Sequence, residues 1–102
     1  MTAIKTVDDL RRSLARSLPP PGIGHALEAL WWDAKGDWDR AHECAQAANG
    51  TDGAWVHAYL HREEGDQPNA GYWYRRAGRP HSEATLAEEW AEIATALAAR
   101  LD

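Results

Sequence analysis

The chain contains no phenylalanine, one methionine and one cysteine, Cys44, in 102 residues. A lone cysteine excludes an internal disulfide, so a reducing compartment and a cytoplasmic location are expected. Long apolar runs are missing too. The first twenty residues, MTAIKTVDDLRRSLARSLPP, hold nothing long enough for a signal peptide or a membrane span, and no membrane association is expected. Positive charge is scarce, with 11 Lys and Arg against 16 Asp and Glu, a net charge of −5. That balance argues against a protein that coats nucleic acid or an anionic bilayer. Strand-type alternation of apolar and polar residues is also absent. What is present is one domain's length of chain, 44% apolar and 26% charged, with six tryptophans and abundant alanine. Helices that approach closely at alanine and are wedged apart by tryptophan suit this composition.

Every segment reads as helix. Thr6 with Asp9 three residues on is a capping-box start, and Val7, Leu10, Leu14 and Leu18 follow at helical spacing. This predicts a first helix over about residues 6–18, ended by Pro19, Pro20 and Pro21. A second helix, GHALEALWWDAK, carries Ile23, Leu27, Leu30, Trp31 and Ala34 on one stripe and stops at Gly36. Asp37 caps a third with a small-residue face of Ala41, Cys44, Ala45 and Ala48 behind Trp38, closed by Asn49 and Gly50. Thr51 or Asp52 opens a fourth, which runs through Trp55, Val56, Ala58, Tyr59 and Leu60 to Gly65. Asp66 caps a fifth, with Pro68 in its first turn and Gly78 at its end. Ser82 is the expected cap of a last helix over about residues 82–101, striped by Leu86, Trp90, Ile93, Leu97 and Leu101. Short turns between them imply about six antiparallel helices in one all-α domain.

Residues 36–48, GDWDRAHECAQAA, and 65–77, GDQPNAGYWYRRA, share the pattern G-D-x-x-x-A-x-x-x-(A/Y)-x-x-A at an offset of 29 residues. Glycine ends one helix and aspartate caps the next. The small residue four positions on lets two helix backbones approach. This resembles the tetratricopeptide repeat and, in the second copy, its Sel1-like variant, through Asp66, Asn69, Ala70, Trp73, Tyr74, Arg76 and Ala77. Ala29 and Ala58 match the small packing position of the upstream helices. The resemblance covers about residues 22–78 and implies two hairpins flanked by capping helices. The chain is also similar to a group of short bacterial proteins with a GDW…AH and WVHAYLHR…NA…YWYRRAG framework, a likeness that implies no particular activity.

His57 and His61 lie four apart on one helical face, a separation at which two imidazoles can share a metal. Residue 58 is alanine, so the glutamate of a zincin helix is missing, and a third ligand would come from His42, Cys44, Glu64 or Asp66. No spacing demands such a set. Both histidines are expected to pack toward the fifth helix and hydrogen-bond there, and no metal or cofactor is assigned. Arg62, Arg75, Arg76 and Arg79 form the one basic locale. Beside Tyr72, Trp73 and Tyr74 they could clamp a carboxylate or phosphate. The commoner arrangement pairs them with Glu63, Glu64, Asp66 or Glu88, Glu89 and Glu92, the last three otherwise a solvated face. Cys44 reads as a small buried apolar residue.

The repeat resemblance implies a non-catalytic module that binds an unknown protein or peptide. Its concave face would present Leu30, Asp33, Trp55, Tyr59 and Arg62, flanked by His57, His61, Arg75 and Arg76, residue types that dominate binding hot spots. Two other readings compete. One is a small metal-assisted or acid/base enzyme that uses His42, His57 and His61. The other is a self-associating homodimer in which Trp31, Trp32 or Trp90 packs across a two-fold axis.

Overall fold

The computed structural model describes residues 4–101, and among them six helices form and no strand does. They are α1 (Val7–Ser13), α2 (Gly24–Ala34), α3 (Trp38–Ala47), α4 (Gly50–Glu63), α5 (Gln67–Ala77) and α6 (Leu86–Ala98). The all-α expectation holds, and most boundaries lie where local chemistry puts them. Thr6 caps α1 with a full capping box, and the Asp37 and Asp66 side chains accept the N–H of Arg40 and Asn69. Gly78 ends α5 in the left-handed conformation that only glycine adopts without strain.

Helix α4 is the axis of the packing. Residues 53–60 are buried without interruption, so this helix meets neighbours on all sides. It packs most extensively on α5, with further contacts to α2, α3 and α6. Ala41, Ala58 and Ala70 are fully buried where helices meet, and Trp31 fills the centre between α1 and α2. Its indole Nε1 donates to Ser13 Oγ at 3.1 Å, while that hydroxyl donates to the carbonyl of Leu10 at 2.6 Å.

Three boundaries and one face differ from expectation. Helix α1 stops at Ser13, and Leu18, expected on its stripe, is 66% exposed. The Lys35 ammonium anchors the following turn instead by donating to the carbonyls of Leu14 and Arg16. Helix α4 begins at Gly50, with Asn49 as its N-cap, ahead of the expected Thr51 or Asp52. The last helix begins at Leu86, because Thr85 and Glu88 make the capping box that Ser82 cannot, and Leu86 itself is exposed.

The larger departure concerns the expected concave face. Helix α6 lies over α2 and α4, and Trp90 Nε1 donates to the carbonyl of Leu30 at 3.0 Å. Leu30 is therefore buried, and Trp55 and Tyr59 are each 3% exposed. The Arg79 guanidinium covers the Trp55 ring at 3.4 Å from its centroid. A radius of gyration of 12.4 Å fits a compact globule of this length. Nor does a tryptophan patch reach the surface. Trp31, Trp55 and Trp90 are buried, and Trp32, Trp38 and Trp73 are half-buried against the core.

Candidate functional site

Two helices bring three imidazoles together. His42 comes from the middle of α3, and His57 and His61 from successive turns of α4. Two tryptophans set the rings. The His42 ring stacks on Trp38, one turn earlier in α3, with centroids 4.8 Å apart and planes 10° from parallel. His57 stacks on Trp73 of α5 at 4.0 Å and 5°. Trp38 is itself pinned, since its Nε1 donates to the carbonyl of Leu60 at 3.1 Å. His57 packs on α5 as expected, but its hydrogen bond goes to His42 of α3, and His61 bonds Glu64 rather than α5.

The Nε2 atoms of His42 and His57 lie 3.1 Å apart, so one ring donates its proton to the other. His61 Nδ1 meets Glu64 Oε1 at 2.8 Å, which leaves its Nε2 as the free ligand atom. One nitrogen from each of the three histidines lies within 4.8 Å of the other two. Tetrahedral zinc, with Zn–N of about 2.0–2.1 Å, spaces its ligand nitrogens roughly 3.3–3.4 Å apart. The His42–His57 pair is near that spacing already, and modest side-chain rotation would bring His61 in. Burial, then the neighbouring His42 and His61, pushes His57 down to about 4. Burial and then His61 also lower His42, against the nearby Glu64 and Asp39. Both rings are neutral at pH 7, the form that ligates metal.

A cleft of about 660 Å³ opens onto these rings. Its walls are Trp73 and Arg76 of α5 and the turn between α3 and α4. A second group, His61, Glu64 and Asp66, also comes within 4.8 Å. There Glu64 holds the His61 ring, and Asp66 spends its oxygens on the backbone N–H and the amide of Asn69.

The remaining sequence candidates scatter. Arg62 turns inward to Glu89 at 2.9 Å and to the carbonyl of Ala84, and does not present itself on a face. Glu89, read from sequence as part of a solvated acidic run, is buried and also accepts from Tyr74 Oη at 2.5 Å. Arg75 and Arg76 are exposed, and Arg76 lies over Trp73 and donates to Tyr72 Oη at 3.0 Å. Cys44 is half-buried, with its thiol pushed up mainly by burial.

Asp33 and Glu63, read from sequence as a face residue and an arginine partner, instead meet each other. Burial, then a hydrogen bond to Asp33 and the charge there, raises Glu63 to about 8, so this side chain keeps its proton at neutral pH. The Tyr59 hydroxyl beside them is raised by burial and the same Asp33. All three line a separate cleft of about 570 Å³ with Leu14 and Trp90. Helical spacing could have found them, because Tyr59 and Glu63 are one turn apart.

These shifts set a pH dependence. Glu63 is raised above its ordinary 4.5, so its contribution to stability is full below that value and is lost as pH climbs toward about 8. His57 is depressed from 6.5, so its contribution is full above that value and lost as pH falls toward about 4. The two oppose each other at mildly acidic pH, and only Glu63 changes between 6.5 and about 8. Their opposite slopes cancel between about 4.5 and 6.5, so the metal-free protein is expected to be about equally stable across that window. Toward pH 8.5 it should lose about 1 kcal/mol, discounted for partial solvent screening, or about 5 °C in melting temperature. Thermal melts in chelator across this range check it, and Glu63→Gln should flatten the alkaline limb.

No family model, curated protein or solved structure matches the chain, so its function is argued from this geometry.

Proposed function

We propose that the protein binds one divalent transition metal of the zinc class through His42, His57 and His61 and presents it to the adjoining cleft. The observation that carries this reading is the convergence of three imidazole nitrogens from α3 and α4 within 4.8 Å. Rings held by tryptophan stacking lose little freedom on binding, and neutral imidazoles release no proton to accept the ion. Glu64 fixes the third ring from behind, as carboxylates do behind metal-bound histidines. Three protein ligands leave a tetrahedral ion one open position, the arrangement of catalytic rather than structural zinc sites. A metal there would polarise a bound water or substrate oxygen. The peptide-binding alternative, with a partner on Trp55, Tyr59 and Arg62, requires α6 to leave its place over that face. The metal reading asks only for side-chain rotation.

Chelator-treated protein titrated with Co²⁺ should develop the visible absorption of a tetrahedral site at one equivalent, and Zn²⁺ should displace it. His42→Ala and His57→Ala should each weaken metal binding by about 100-fold or more. His25→Ala and His81→Ala lie outside the cluster and should leave it unchanged. A titration in which all four variants match the unmodified chain overturns the reading.

A further inference from the structure

The chain carries sixteen acidic side chains, yet among the described residues none lines the cleft in front of the histidines. Its polar wall consists of Gln46, Asn49, Thr51 and one cation, Arg76. The nearest carboxylates, Glu64 and Asp39, act on the rings from outside the cleft, so the open side of a dipositive ion held there would face no protein anion. Arg76 is placed to share an anion with it. The guanidinium lies 5.3 Å from the centre of the Trp73 ring, the same ring on which His57 stacks. Its Nη1 donates to Tyr72 Oη at 3.0 Å. No carboxylate lies within ion-pair distance of Arg76 among the described residues. The planar fork is thus oriented by aromatic contacts and keeps donors for a ligand.

Resting on the metal reading, we propose that the cleft takes a small oxyanion-bearing ligand, a phosphate or carboxylate. One oxygen occupies the metal's open position and the others bridge to Arg76. The volume suits a small molecule rather than a peptide segment. The ligand's negative charge meets the ion from the cleft side, where the lining offers no carboxylate.

The test uses the cobalt-loaded full chain, with inorganic phosphate and acetate as probes. Saturable perturbation of the cobalt spectrum by either probe is expected, and the preferred probe identifies the oxyanion class. Arg76→Ala should weaken that binding by about tenfold or more while leaving cobalt affinity unchanged, and Arg76→Lys should restore only part of it. Arg75→Ala, one residue away and exposed, serves as the control for general loss of charge. A cobalt band that neither anion perturbs, or anion binding indifferent to Arg76→Ala, overturns the oxyanion site and leaves the metal reading standing. Failure of the band to form at all overturns both.

Discussion

Glu89→Ala is expected to cost about 3–5 kcal/mol, enough to consume much of the roughly 5–15 kcal/mol that holds a domain of this size together. Glu89 is 1% exposed, and its two oxygens are both in use. One accepts from Arg62 Nη1 at 2.9 Å and the other from Tyr74 Oη at 2.5 Å. The Arg62 side chain is only 13% exposed and has a single carboxylate partner, besides the carbonyl of Ala84. Truncation would strand a desolvated guanidinium and an unpaired phenol together. The bond network joins α4, α5 and α6, so its loss should loosen the helix that covers Trp55 and Tyr59. In thermal unfolding followed by circular dichroism, a fall of about 12 °C or more is expected. Glu89→Gln keeps the shape and one acceptor and should fall between. Replacing the ion pair as a unit, Arg62→Met with Glu89→Leu, should recover most of the loss, because the desolvation cost disappears with the charges. A Glu89→Ala protein as stable as the parent would mean that α6 does not seat on this pair.

This network also marks the limit of reading the chain as a string. The features carried by neighbours in sequence were legible: the caps at Thr6, Asp37 and Asp66, the stop at Gly78, and buried Ala41 and Ala70. Each is decided within one turn of helix. Glu89 was named as an arginine partner, and the pairing with Arg62 forms, but on a face taken as solvated, although it sits four residues before Ile93 and eight before Leu97, both buried. The burial, rather than the pairing with Arg62 27 residues away, is what the sequence left out. The burial of Leu30, Trp55 and Tyr59, expected on a concave face, was not legible for a similar reason. Nothing local says that α6 folds back over Leu30 from 60 residues downstream.

The histidine cluster falls between these cases. His57 and His61 announce themselves by their spacing, and His42 could be nominated as a third member from its place in the G-D-W-D-R-A-H turn. Only the packing of α3 against α4 decides that the 3.1 Å contact forms. Stacking on Trp38 and Trp73 explains why the rings hold their positions, and it ties two tryptophans that read as core residues to the candidate site.

That dependence on packing leads to a second large effect, at a residue with no side chain. A Cβ at Gly53 would lie 2.4 Å from the carbonyl oxygen of Ala48 and 2.9 Å from its carbonyl carbon and its Cβ. The obstacle is mainly backbone at the end of α3, and it cannot turn aside as a flexible side chain would. Within a helix, alanine is favoured over glycine by about 1 kcal/mol, so propensity alone would make Gly53→Ala stabilising. Steric overlap should reverse the sign, for a net loss of about 2–3 kcal/mol as α3 is pushed from the first turn of α4. His42 and His57 sit on those two helices, so the push should separate their nitrogens and weaken cobalt binding, although Gly53 ligates nothing. Gly71 supplies the contrast. It is also helical, but a Cβ there would find its nearest neighbour, an Arg75 nitrogen, at 3.5 Å. Gly71→Ala should therefore stabilise the protein by up to about 1 kcal/mol and leave metal binding untouched. Paired urea melts and cobalt titrations of the two variants measure both quantities. If Gly53→Ala gains stability as Gly71→Ala does, α3 and α4 do not approach closely enough to hold the histidines together.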